Sequence, residues 1–143
     1  MKRILLRIAM AAGLLTIGVL VVSTMVLRAS LPDLEGEISV DGIAGPVSIE
    51  RDASGIPVIS ASNRADLAFA TGFAHGQDRF FQMDLIRREA AGELAEIVGS
   101  VAVDRDKRNR FHRFRSRAQA VIANAAEAER AILMAYANGV NAG

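Results

Sequence analysis

The stretch VSIERDASGIPVISASNRADLAFATGFAHGQDRFFQMDLIRREAAGELAEIVG, residues 47–99, decides the fold. Its opening alternates: Val47, Ile49 and Arg51 interleave with Ser48, Glu50 and Asp52, which is the two-residue period of a half-buried strand. Ala53, Ser54 and Gly55 then make a turn, and residues 56–61 supply a second apolar-rich run. The pattern predicts a β-hairpin in which Gly55 takes the positive φ. Pro57 lacks an amide donor, so the second strand is expected to be an edge there, or to start just after it. Beyond Ser62 the period changes. Asn63 is placed to cap a helix, with Asp66 at its third position, where the helix dipole favours an acid. Leu67, Ala70, Phe73, Ala74, Phe80, Phe81, Leu85 and Arg88 fall near helical spacing, which predicts a helix over 64–90. Gly72 and Gly76 lie four apart inside it. Each costs about 1 kcal/mol of helix propensity against alanine, so they read as a face kept small for close approach. Gly92 is expected to end this helix, a short apolar helix to follow at 93–98, and Gly99 to stop that one.

Working towards the N-terminus, residues 29–46 are punctuated by Pro32, Gly36, Gly42, Gly45 and Pro46. They read as a membrane-proximal linker with one short strand at 37–40. Before it, Lys2, Arg3 and Arg7 precede twenty residues, 8–27, whose only polar members are Thr16, Ser23 and Thr24. Twenty helical residues span roughly 30 Å, the thickness of a bilayer core. The basic flank places Met1 in the cytoplasm and the rest of the chain across the membrane, facing the periplasm or the cell exterior. The competing reading is a cleaved secretory signal with Ala29 before the cut. The length of the run and Leu27 at the outer cleavage position favour an uncleaved signal anchor over residues 1–28. Export is common to both readings.

The mean hydropathy of +0.25, high for a chain that is 23% charged, is largely this one segment. Beyond residue 28 the remaining 115 residues carry 13 basic against 16 acidic side chains, so the exported part is mildly acidic. At 143 residues the chain holds at most one ordinary domain. The absence of cysteine excludes disulfides, thiolate zinc sites and a cysteine nucleophile. His75 and His112 are too far apart in sequence to suggest a histidine metal site, and no metal ligand or cofactor is assigned within these residues.

Towards the C-terminus, residues 104–117 carry seven basic side chains with Asp104, Asp106, Phe111 and Phe114. The run reads as a solvated loop or as an ion-paired face, with the phenylalanines packing part of it. Nucleic acid is not an expected partner, because balanced charge elsewhere gives no extended positive field. Asn124 with Glu127 reads as a capping box before a last helix bearing Ile132, Leu133, Tyr136 and Val140. A few strands and three helices make a poor independent core, and the chain reads as the beginning of something longer.

Two stretches carry a family resemblance. Residues 47–99, with Arg51-Asp52, Gly55-Ile56-Pro57, Gln77-Asp78-Arg79, Gln82-Met83-Asp84 and Arg87-Arg88, resemble the opening of the penicillin amidase family of N-terminal-nucleophile hydrolases. AILMAYANGVNAG at 131–143, with its Tyr-Ala-Asn-Gly-Val-Asn signature, resembles a later helix of that family's small subunit. The resemblance implies an α+β fold, residues 47–143 forming the start of an αββα architecture behind the anchor. It implies a precursor that cuts itself into small α and large β subunits. The new N-terminal residue of β, usually serine, then attacks an amide carbonyl with its own α-amine as general base, a role that suits a reference pKa of about 7.7–8. Oxyanion donors would come from β, and calcium would bind in the full-length enzyme. None of these groups is assigned to a residue of this chain, so no catalytic residue is named. The β part of the same precursor, the membrane through residues 8–27 and a small amide substrate are the implied partners.

Arg51, Asp52, Gln77, Asp78, Arg79, Gln82, Arg87 and Arg88 are read as structural scaffold rather than substrate contacts, since charges set among apolar helix positions require partners when covered. His75 is read as a packed or hydrogen-bonded histidine, and His112 as a surface residue. The alternative class is a non-catalytic, membrane-anchored interaction module in which helices 64–90 and 125–142 present a docking surface.

Overall fold

The structure, a computed structural model, describes residues 2–32 and 34–143, leaving out the side chains of Lys2, Arg3, Leu5, Leu6, Ile8 and Ala9. The cytoplasmic placement of Met1, and the Lys2 and Arg3 side chains on which it rests, lie outside what is described. Contacts divide the chain into two units, Met1–Glu37 and Ile38–Gly143.

In the first unit a single helix, α1 (Lys2–Ala29), has an exposed 20-residue stretch, Met10–Ala29, long and apolar enough to cross a membrane by length and composition. Its hydroxyls are satisfied within the helix: Thr16 Oγ1 donates to Ala12 O at 3.0 Å and Thr24 Oγ1 to Leu20 O at 2.8 Å. That back-bonding leaves no unpaired hydroxyl proton at either threonine facing outward.

The second unit opens on the hairpin. Strands β1 (Ser48–Arg51) and β2 (Pro57–Ser60) pair antiparallel, with Ser48 opposite Ser60 and Arg51 opposite Pro57. Asp52 builds the turn: its Oδ1 accepts from the amides of Ser54 and Ile56, both at 2.8 Å, while Gly55 sits at φ 77°. Pro57 is the first residue of its strand, where a missing amide is tolerated. The strand expected at 37–40 does not form; those residues have no neighbouring strand to pair with among the described residues.

The long helix α2 (Arg64–Ala91) starts at Asn63, whose side chain accepts from the Asp66 amide at 2.9 Å, and stops at Gly92 in the left-handed region, φ 71°. A short helix α3 (Ala95–Val98), a 3-10 turn (Ser100–Ala102), and helices α4 (Val103–His112), α5 (Phe114–Asn124) and α6 (Glu127–Ala142) follow. The basic run is therefore helical, broken only at Arg113, which takes φ 52° between α4 and α5. The capping box expected at Asn124 is not made. Asn124 remains in the last turn of α5, donating to Ala120 O at 2.7 Å, and α6 begins after Ala126 with no side-chain cap.

Helices α2 and α6 pack in the same direction, backbone on backbone, through two glycine pairs. A Cβ on Gly72 would lie 2.1 Å from Tyr136 O, and one on Gly76 would lie 2.7 Å from Val140 O. Reciprocally, a Cβ on Gly139 would lie 1.9 Å from Phe69 O, and one on Gly143 would lie 2.2 Å from Phe73 O. The close approach expected at Gly72 and Gly76 is thus real, and it is matched by a second glycine pair on the partner helix. Phe69 is buried at this seam, and Ala70 and Ala74 are buried on the neighbouring flank of α2. The apolar positions predicted for α2 are covered only in part, since Leu67, Phe80 and Phe81 are exposed.

Candidate functional site

The charged residues of the hairpin and α2 form a chain of ion pairs. Arg51, at the end of β1, donates from Nη1 and Nη2 to the two carboxylate oxygens of Asp78 at 3.0 and 2.8 Å, and also to Gly55 O at 3.1 Å. One guanidinium thereby ties strand, turn and helix together, in the two-pronged geometry that suits arginine and not lysine. The contact holds the Arg51 pKa above its ordinary value, chiefly through the hydrogen bond it donates to Asp78. Asp52 is used by the turn itself. Arg79 and Gln82 are exposed and line, with Arg51, Ser54, Pro57 and Asp78, an open concavity beside the hairpin. Gln77 is half-buried and engaged.

One and a half turns further along α2, Asp84 accepts from Arg87 Nε at 3.0 Å and from Arg88 Nε at 2.7 Å. The Arg88 and Arg87 hydrogen bonds together hold the Asp84 carboxyl below its ordinary pKa, Arg88 the more. Arg88 reaches on to Glu96 of α3 at 2.6 Å. From the other side the basic run closes on the same helix end. Arg115 pairs with Glu93, lowering its pKa, and Arg105 pairs with Glu89. Arg110 Nε donates to Gly92 O at 2.8 Å, and Asn109 Nδ2 to Glu89 O at 2.7 Å. Both carbonyls lie at the C-terminal end of α2, and that of Glu89 also accepts from the Gly92 amide at 3.1 Å. Asp106, buried, returns the favour to α3 by accepting from the Leu94 and Ala95 amides at 3.0 and 2.7 Å.

Asp66 does more than answer the helix dipole. It is 1% exposed, and its carboxylate accepts from the Ala44 and Gly45 amides at 2.9 and 3.1 Å and from Asn63 Nδ2 at 2.7 Å. The backbone bond from Ala44 is the largest of the effects that hold its pKa down. His75 Nδ1 lies 2.9 Å from the Tyr136 hydroxyl across the α2–α6 seam, the hydrogen-bonded histidine expected from sequence. His112 is at the surface, also as expected. The phenylalanines beside it are not buried in a core: Phe111 is 84% exposed and Phe114 45%.

The functional elements that sequence reasoning missed are acids. Asp84 stands inside the quoted motif, three and four residues before Arg87 and Arg88, a spacing that could have signalled the pairing. Glu89, Glu93 and Asp106 find their partners through tertiary contacts that carry no local signal. Among the described residues no three acidic or imidazole side chains converge to hold a metal.

The structure matches a thermostable penicillin G acylase from Alcaligenes faecalis with a TM-score of 0.62 at 35% identity, over 68% of this chain and 52% of that one. The family model described as penicillin amidase matches residues 46–143, and the chain belongs to that family. The "Penicillin acylase 2 proenzyme" of Pseudomonas sp. (strain SE83) is 50% identical over 80 residues, 56% of this chain. "Acyl-homoserine lactone acylase QuiP" of Pseudomonas putida is 37% identical over 138 residues, 96% of this chain. The chain spans 10% of the length of the first relative and 17% of the second.

Proposed function

We propose that residues 47–143 form the opening of the small subunit of an amidohydrolase that releases an acyl group from a linear amide, of the penicillin or acyl-homoserine lactone type. In this reading the chain builds part of an αββα hydrolase scaffold. Arg51, Asp52, Gln77, Asp78, Arg79, Gln82, Arg87 and Arg88 position its elements and none of them touches the reacting atoms. The attacking group is the N-terminal serine of a β segment from the same precursor. Its α-amine takes the hydroxyl proton, the acyl group passes to the serine oxygen, the amine departs, and water releases the acid. Calcium, where it binds, is held by residues elsewhere in the enzyme. Residues 10–29 anchor the whole on the far side of a membrane, and these 143 residues have no hydrolase activity of their own.

The observation that carries this reading is the family match over residues 46–143 in a chain that spans 10–17% of the relatives' length. The uncovered apolar side chains of α2, Phe80, Phe81 and Ile86, are spread around the helix, and large apolar groups left exposed on more than one side of it support cover by further polypeptide. Mass spectrometry of the protein purified from its native cells tests the assembly. Two polypeptides are expected, a small one containing residues 47–143 and a large one with serine at its N-terminus. Recovery of residues 47–143 with no second polypeptide attached would contradict it and favour the anchored interaction module.

A further inference from the structure

We propose that the corner between α4 and α5 is a peripheral membrane contact that docks on an anionic lipid surface. Three rings meet there: His112 lies edge-on to Phe111 at 5.8 Å between centroids and stacks on Phe114 at 5.2 Å. Phe111 is 84% exposed, so the cluster projects into solvent instead of closing a core. Arg108, Arg113 and Arg117 surround it. All three are exposed, and among the described ion pairs of this region only Arg105, Lys107 and Arg115 are matched to acids. Arg108 stands three residues before Phe111 and Arg117 three after Phe114, so each shares a helix face with a ring. Helix α5 contains no acidic residue, and Val121, four residues beyond Arg117, is a further exposed apolar side chain.

Charge complementarity identifies the occupant. A polypeptide covering Phe111 would have to bury three unmatched guanidiniums or bring three carboxylates to them. An anionic bilayer surface accepts both parts at once, the rings entering the boundary of headgroups and acyl chains while the guanidiniums remain among the phosphates. On α2 the field is weaker, because Arg87 and Arg88 are held by Asp84 and only Arg79 stands beside the exposed phenylalanines outside the described ion pairs. Each cation near an anionic surface raises binding about fivefold. Three give roughly a hundredfold.

The chain contains no tryptophan, so Phe111→Trp in the full chain provides a single reporter in vesicles of phosphatidylcholine alone or mixed with phosphatidylglycerol. The expected result is blue-shifted emission, quenched by brominated lipid, only with phosphatidylglycerol. The shift should reverse in about 1 M salt, where the screening length falls to about 3 Å. Arg108→Gln, Arg113→Gln and Arg117→Gln together should lower the bound fraction of the corner roughly a hundredfold relative to the free, with unchanged helical circular dichroism. Emission independent of lipid charge, whether exposed in both vesicle types or already blue in neutral ones, overturns the proposal. Carbonate washing separates this from the anchor: release from both vesicle types means that the span fails, whereas retention with solvent-exposed tryptophan means that the corner fails.

Discussion

At the scale of single residues, the acids of the second unit do the organising. Asp66 is held ionised by amides of the linker and by Asn63, and Asp84 and Glu93 are held ionised by arginines. Because the folded-state pKa of each lies below its ordinary value, 3.8 for aspartate and 4.5 for glutamate, the unfolded chain binds more protons in acid. Their stabilisation is fully present above those ordinary values and is lost as pH falls through the lowered ones. Melting temperature should therefore drop on acidification below that range, and Asp66→Asn should melt lower at neutral pH with a shallower acid limb. Parallel acid limbs for wild type and variant would show that Asp66 does not carry the effect. Arg51→Lys keeps the charge and loses the two-pronged grip on Asp78. For a pair this open to solvent the expected loss is about 1 kcal/mol in denaturant titrations, with Asp78→Ala adding little once Arg51 is replaced.

At the scale of elements, the α2–α6 seam is the most exacting contact. Gly139→Ala places a methyl 1.9 Å from Phe69 O, and Gly72→Ala places one 2.1 Å from Tyr136 O. Both obstacles are backbone, so the helices must separate. Each substitution is expected to cost about 1–3 kcal/mol or more, while Gly13→Ala, with open space around it, should be silent. Equal melting of the Gly139 and Gly13 variants would contradict the packing. The hairpin, α2 and its glycine face were legible in the sequence because their signals are local: a turn with Gly55, a cap at Asn63, two small residues four apart. The capping box at Asn124 misled because an asparagine near the end of one helix reads the same as one before the next. The second glycine pair, Gly139 and Gly143, was illegible for another reason, since what makes it necessary is Phe69 and Phe73, seventy residues away. The strand expected at 37–40 failed similarly, for want of a partner that no local pattern reveals.

At the scale of the molecule, the N-terminal unit and the family segment are separate physical problems. If Met10–Ala29 is an uncleaved span, the full chain should stay with membranes through carbonate washing, and an arginine at Leu20 should release it. Loss of the first 29 residues from the mature protein would instead make the helix a signal. The candidate site was legible as a family motif and as a set of charged positions, whereas the pairs that Arg105 and Arg115 make with Glu89 and Glu93 join residues far apart in sequence, which spacing alone does not reveal.

The central claim is that these residues are scaffold for a nucleophile supplied by another part of the enzyme. The most direct measurement is hydrolysis of penicillin G and of an acyl-homoserine lactone by purified residues 1–143, beside the precursor extended to include its β segment. The account predicts no turnover by the former, turnover by the latter, and loss of that turnover when the N-terminal serine of β is replaced by alanine. Amide hydrolysis by residues 1–143 alone would contradict it.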